Sequence, residues 1–199
     1  MEADEAAELM EKDRERDVFK QRAAVAIAFF AMVLAICGLG GSNAAKDATM
    51  NNILASNFFS FYQAKNIRQT SLKLAADDIE LARLADPALP ETARAALQKK
   101  LADYKADIQR YESEPSTNEG KKELLTRAKE HEALRDHALK QDPYFDYAEA
   151  LLQIAIVLIS VSIIASLPWL AFFGGTVGLI GVLLTVNGFW LLVEIPGLS

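Results

Sequence analysis

The chain has 199 residues, 51% hydrophobic and 24% charged, with a formal net charge of −6. The two classes are segregated: all 21 Lys and Arg precede Tyr144, and from Tyr147 onward only Glu149 and Glu194 are charged. That is the mark of membrane spans beside a solvated part, and no stretch is basic enough to take nucleic acid as a partner.

The first element, residues 1–22, is strongly charged. Glu8 precedes Lys12 by four, the spacing of a supporting pair on an exposed helix. A docking helix for a cytoplasmic partner is the functional reading of this segment.

An uncharged run follows from Ala23 to Asn43, and span one is placed at residues 23–45. At ~1.5 Å per residue it is long enough to cross a bilayer core about 30 Å thick. The flank before it is long and of mixed charge, unlike the short basic start of a signal peptide, so the span is read as uncleaved. Its single cysteine, Cys37, lies among apolar residues and reads as a packing residue, with no second thiol for an internal disulfide.

The span ends in "CGLGGSNAAK", which has the outline of a phosphate-binding loop. The match fails: Lys46 is preceded by Ala45 and followed by Asp47, Gly38, Gly40 and Gly41 do not give G-x-G-x-x-G, and no strand precedes them. Nucleotide is excluded as a ligand. Instead Ala24, Ala28, Ala31, Ala35 and Gly38 step by four and three, placing small residues on one helix face, where backbones approach closely in lipid.

Residues 46–141 read as an extramembrane helical hairpin. Leu54, Phe58, Phe61, Lys65, Arg68, Leu72, Ala75, Ile79 and Ala82 step by four and three, and so do Leu97, Leu101, Tyr104, Ile108 and Tyr111. The prolines of "DPALPE", Asp86 to Glu91, separate a first helix from a second. Ser116 and Glu119 have capping-box spacing for a third helix over 120–140. One long arm leaves and two shorter ones return, in a thin layer that buries its stripes poorly, which implies self-association.

Within this region "SNFFSFYQAKNIRQT" crowds Phe58, Phe59, Phe61 and Tyr62 together, with Lys65 and Arg68 on the same stripe. These six are the candidate partner or lipid interface, since aromatics beside cations suit head groups or another subunit. Ordinary helix packing, with the long cationic stems snorkelling, is the alternative. His131 and His137 are six residues apart, about 120° round a helix, so they do not form a metal-ligand pair and read as solvated or interfacial.

Asp142 and Pro143 suit the N-cap and first position of span two, residues 142–167, and Pro168 breaks it from span three, residues 168–193. Trp169, Tyr144, Tyr147 and Trp190 suit interfacial belts. Gly174, Gly178, Gly181, Thr185 and Gly188 form a second small-residue row, and Asn187 is read as a helix–helix hydrogen bond. Arg14, Arg16, Lys20 and Arg22 lead into span one and favour a cytoplasmic N-terminus, which puts the hairpin and the tail, residues 194–199, outside; the mirror-image topology, with the middle region in the cytoplasm, is the alternative.

The order of a charged helix, an alanine-rich span ending in "GGSNAAKDATMNNILASN", then "FYQAKNIRQT", a helical region and two final spans resembles a family of bacterial membrane proteins catalogued only as a domain of unknown function. Phe61, Tyr62, Gln63, Ala64, Lys65 and Arg68 match its aromatic, Tyr-Gln-Ala-Lys and basic positions. The family often has Trp where this chain has Phe59 or Phe61. The resemblance implies three spans and an inner-membrane home, and it implies no activity.

The expected fold is an all-α membrane protein with three transmembrane helices and a long, coiled-coil-like helical hairpin between spans one and two. No catalytic, cofactor-binding or metal-ligating constellation stands out, so the expected role is non-enzymatic. It is assembly, as a homo-oligomeric scaffold or an accessory subunit of a larger membrane complex, with lipids as further partners. A channel or transporter lined by glycine-rich span three, and a signalling adaptor, remain as alternatives.

Overall fold

A computed structural model describes residues 2–86 and 88–197. Four α-helices follow in order: α1 (Glu2–Ala85), α2 (Glu91–Glu112), α3 (Lys121–Ala165) and α4 (Pro168–Trp190). The described residues are helical apart from the turns and the tail. α1, α3 and α4 are each long and apolar enough to cross a membrane. The chain divides into two compact units, one of residues 1–48 with 136–199 and one of residues 49–135.

In the first unit three rows meet. Ala23, Phe30, Cys37 and Ala44 of α1 recur every seven residues, and Phe145, Ala148, Leu152, Ala155 and Ile159 of α3 alternate by three and four. From α4 come Gly174, Gly178, Gly181, Thr185 and Gly188, all buried. Spacings of three and four keep each row on one helix face, which is what continuous helix–helix packing needs. α1 runs unbroken through Gly38–Gly41, so those glycines do not end the helix. An added Cβ at Gly40 would sit 2.5 Å from the Phe145 ring, and that close approach is the local reason for glycine there.

α3 also runs unbroken through Asp142 and Pro143, where a new helix start was expected. A proline inside a helix removes one hydrogen bond and is tolerated only where packing compensates. Here Ala138 lies before it and Tyr144, Phe145 and Ala148 after it, all buried. α3 then ends in a tight turn. Ser166 takes a left-handed conformation, φ 53°, and the Leu167 N–H bonds back to the Ser162 carbonyl at 3.1 Å. Pro168 follows as the first residue of α4, its fixed φ already helical.

In the second unit α1, α2 and α3 pair side by side. Ala76 and Ile79 of α1 pack with Leu101 of α2, joined by Leu97, Tyr104 and Ile108, as the α2 periodicity predicts. The α1 seam is displaced from the expected stripe. The inward residues are Ala55, Phe58, Tyr62, Lys65, Gln69, Leu72, Ala76 and Ile79, while Phe61 and Arg68 point outward. Hydrophobicity alone favours Phe61 over Tyr62 and gives no reason to bury Gln69. The polar partners waiting on α2 and α3 decide the rotation.

The α2–α3 turn also differs from expectation. Ser116 and Glu119 do not form the capping box. Glu123 instead ties the turn back to the start of α3: it accepts hydrogen bonds from the Ser113 hydroxyl and, at 3.2 Å, from the Glu114 N–H. These two bonds depress its carboxyl below the ordinary glutamate value, the Ser113 bond most. Gly120 is buried in this turn, and a Cβ there would collide with the Glu114 backbone nitrogen and Ser113 Cα.

Candidate functional site

The aromatic and basic cluster splits into an inner and an outer set. Phe58, Phe59, Tyr62 and Lys65 are half-buried, whereas Phe61 and Arg68 are exposed. The Arg127 guanidinium lies 4.2 Å above the Phe58 ring, and His131 stacks on the same ring at 5.5 Å and 11°. His131 Nδ1 is 2.8 Å from Asn51 Oδ1, so this histidine is interfacial, and His137 is exposed. Lys65 reaches Glu119 at 3.6 Å and Glu114 at 3.9 Å, with its ammonium 5.4 Å from the Tyr111 ring centre. The stem is buried and only the charged end is spent on the turn, as snorkelling predicts. Phe58, Phe61, Ala64, Lys65, Arg68 and Arg127 line a groove of about 350 Å³.

Beside it sits a polar node that sequence reasoning missed. Gln69 is 2% exposed. Its amide nitrogen donates to the Ile108 carbonyl and to Glu112 Oε2, each at 2.9 Å, and Lys121 donates to its Oε1 at 2.8 Å. Lys121 also pairs with Glu112 at 3.3 Å and lies 5.6 Å from the Tyr62 ring centre. One amide thus ties α1 to the end of α2 and the start of α3. The Gln69 bond, followed by Lys121, holds the Glu112 carboxyl below its usual range. A depressed carboxylate stabilises the fold above its unfolded pKa, and that contribution disappears as pH falls through the folded value. Both bonding glutamates therefore favour neutral over acid conditions. The only sequence signal was the position of Gln69 at the end of the aromatic–basic motif.

The two small-residue rows have different fates. Those of α4 are covered inside the chain: a Cβ at Gly178 would meet the Phe30 ring at 2.5 Å, one at Gly181 would meet Leu152 at 2.9 Å, and one at Gly188 would meet Phe145 at 2.9 Å. Gly174 lies against Leu158 and Ile159 in the same way. In α1 the buried residues are Ala23, Phe30, Cys37 and Ala44, so Ala24, Ala28, Ala31 and Ala35 are exposed. Gly38 has nothing within 4 Å of its Cβ position. Cys37 is fully buried, with its thiol donating to the Phe145 carbonyl at 3.3 Å.

Asn187 does not bridge helices. Its side chain pairs with the Val193 backbone in both directions, accepting at 2.9 Å and donating at 2.8 Å. Tyr144 is 1% exposed rather than interfacial. Its hydroxyl donates to the Val193 carbonyl at 3.2 Å and accepts the Ile195 N–H at 2.9 Å. These groups clasp the tail after α4, where Leu191 turns the chain at φ 46°. Trp169, Tyr147 and Trp190 are exposed.

These features define an all-helical protein with three helices of membrane-spanning length and hydrophobicity, joined to a three-helix unit locked by a buried amide. The chain belongs to the family described as domain of unknown function DUF4337, whose model matches residues 19–191. No match was found among curated proteins or among solved structures.

Proposed function

We propose that this chain is a non-enzymatic membrane protein that works by assembly, as a homo-oligomeric scaffold or an accessory subunit of a larger membrane complex. One observation carries the reading. The glycine row of α4 is spent on packing within the chain, whereas the Ala24, Ala28, Ala31, Ala35 and Gly38 face of α1 has no cover. A small-residue face in lipid is suited to a second helix, because close backbone approach supplies the van der Waals contact that lipid burial does not. Enclosure of Gly174, Gly178, Gly181 and Gly188 by Phe30, Phe145, Leu152 and Ile159 weighs against a pore-lining role for that row.

The proposed home is a bacterial inner membrane, with a cytoplasmic N-terminus. The three-helix unit is the extramembrane hairpin between spans one and two, and it lies with the C-terminus on the periplasmic side. The bases Arg14, Arg16, Lys20 and Arg22 before span one support this orientation. The pairings Asn51–His131, Gln69–Ile108 and Glu80–Lys105 support an outgoing arm with two returning ones.

Extraction from native membranes in mild detergent, followed by native electrophoresis, is expected to give a species well above one protomer. Ala31→Leu is expected to shift it to the protomer without loss of helicity, because one bulky side chain separates the backbones. A lone 21.8 kDa wild-type protomer overturns the reading. Topology is tested separately with Ala88→Cys, which is expected to react with an impermeant maleimide in intact spheroplasts; protection there reverses the orientation.

A further inference from the structure

α1 carries a second row on the face opposite its inner seam. Ile53, Ser60, Ile67, Leu74 and Leu81 recur every seven residues, and the first four stand two residues before Ala55, Tyr62, Gln69 and Ala76 of the inner seam, hence about 200° round the helix. Three residues before each of them stands Met50, Asn57, Ala64, Ser71 or Asp78. Every one of these positions is exposed, and Ile53, Ile67, Leu74 and Leu81 are 51%, 67%, 62% and 63% exposed. The unit's own helices use only the inner seam, so its internal packing does not account for the second row.

We propose that a second copy of this chain covers this row, the two α1 segments pairing in parallel and in register. The proposal rests on the self-association reading and names the extramembrane surface that carries it. Alternating spacings of three and four are the pattern of a helix that packs along its length against another with the same period. A second copy has that period by construction. Two copies inserted in one bilayer with one topology are related by a two-fold along its normal, which brings equivalent residues together.

The surface is large enough. Met50, Ile53, Ile67, Leu74 and Leu81 together offer on the order of 500 Å² of apolar surface at about 100 Å² each, and the small residues between them allow close approach. With the flanking stems the pair approaches the ~800 Å² per partner of a stable interface.

The polar members of the row give the pairing its register. Asn57 meets its own equivalent, and an amide donates to and accepts from a second amide, at some cost in stability. Arg68, on one flank, makes no ion pair among the described residues and in this register faces the partner's Gln63. Asp78 meets the partner's Asp78, a repulsion that weakens the pair and keeps it reversible.

Cysteines introduced one at a time beside the native Cys37 test this, with oxidation in native membranes and a non-reducing gel as readout. Cys37 is fully buried, so the wild-type chain is the uncrosslinked control. Leu74→Cys and Ile67→Cys are expected to give dimers, because equivalent seam positions lie within disulfide reach. Leu134→Cys, exposed on α3, is expected to give none. Crosslinking at Ala31→Cys but not at Leu74→Cys overturns the row while leaving assembly intact, and means that lipid or another protein covers it. Failure at both positions, with a protomer on native electrophoresis, overturns assembly itself. Leu134→Cys crosslinking as fast as Leu74→Cys reduces the signal to collision and also overturns the row. Asp78→Leu supplies an independent readout: dimer affinity in a detergent dilution series is expected to rise about tenfold or more with the repulsion removed. No change or a weaker dimer refutes the pairing.

Discussion

Replacing Gly178 by Leu is expected to unfold the unit of residues 1–48 and 136–199 at markedly lower temperature, whereas Gly175→Leu, one turn position away, leaves it nearly unchanged. The two glycines share a helix and a composition, but not a surrounding. A Cβ at Gly178 already lies 2.5–2.8 Å from three atoms of the Phe30 ring, and Gly175 has nothing within 4 Å. A leucine at 178 must therefore expel Phe30 from the core it shares with Cys37 and Leu152, or push α4 off α1. Overpacking costs about 1–3 kcal/mol, and losing the Phe30 contact adds to it, so a loss of roughly 3 kcal/mol or more is expected. Exposed changes stay within about 0.5 kcal/mol. Thermal melts of both variants in one detergent make the comparison. Equal losses in the two would mean that α4 does not use its glycine row within the chain, and the argument that reserves the α1 face for assembly would fall with it.

The second large effect is at Gln69. Gln69→Leu is expected to cost about 2–3 kcal/mol although it replaces a polar side chain with an apolar one of similar size, because three bonds are lost at once. The Ile108 carbonyl loses a donor, Glu112 keeps only Lys121, and Lys121, whose side chain is 12% exposed, loses its neutral acceptor. Hydrogen exchange localises the effect. Faster exchange is expected at the end of α2 and the start of α3, with the helices of the other unit unaffected. The Glu112 carboxyl should also titrate closer to its ordinary value once its main bonding partner is gone. Gln63→Leu, at an exposed position on the same helix, serves as the control. Indistinguishable exchange in the two variants would show that the node is not what holds the three helices together.

The sequence names Gly178 as a packing residue but not its partner, and it gives no reason to single out Gln69. Periodicity placed Gly178 in a row of small residues, but a row has no partner until a second helix is laid against it. Either α1 of the same chain or a neighbouring copy satisfied the pattern equally. Gln69 sits next to Arg68, and a stripe counted in steps of three and four accepts either residue with a shift of one. The capping box at Ser116 failed for a related reason. Glu123 reaches back to Ser113 and Glu114 across the turn, a contact whose geometry depends on Gly120 being buried against Ser113.

What the residues determined by themselves was the partition of the chain. Two long uncharged runs, the second of them long enough for two crossings and divided at Pro168, a charged start, and the prolines at Asp86–Glu91 follow from composition and local backbone restriction, which need no tertiary context. The order of helices and the α2 core row follow in the same way. Tertiary structure decided which face of each helix is inside. It rotated α1 so that Tyr62 and Gln69 turn inward, carried α3 through Pro143, turned Asn187 and Tyr144 to the tail, and enclosed the glycines of α4 while leaving the alanines of α1 uncovered. The physical reason is common to all of these. A helix is specified by bonds within four residues, whereas the choice among its faces is made by partners brought from elsewhere in the chain, and their hydrogen bonds and ring contacts outweigh differences of one methyl group or one hydroxyl between neighbouring positions.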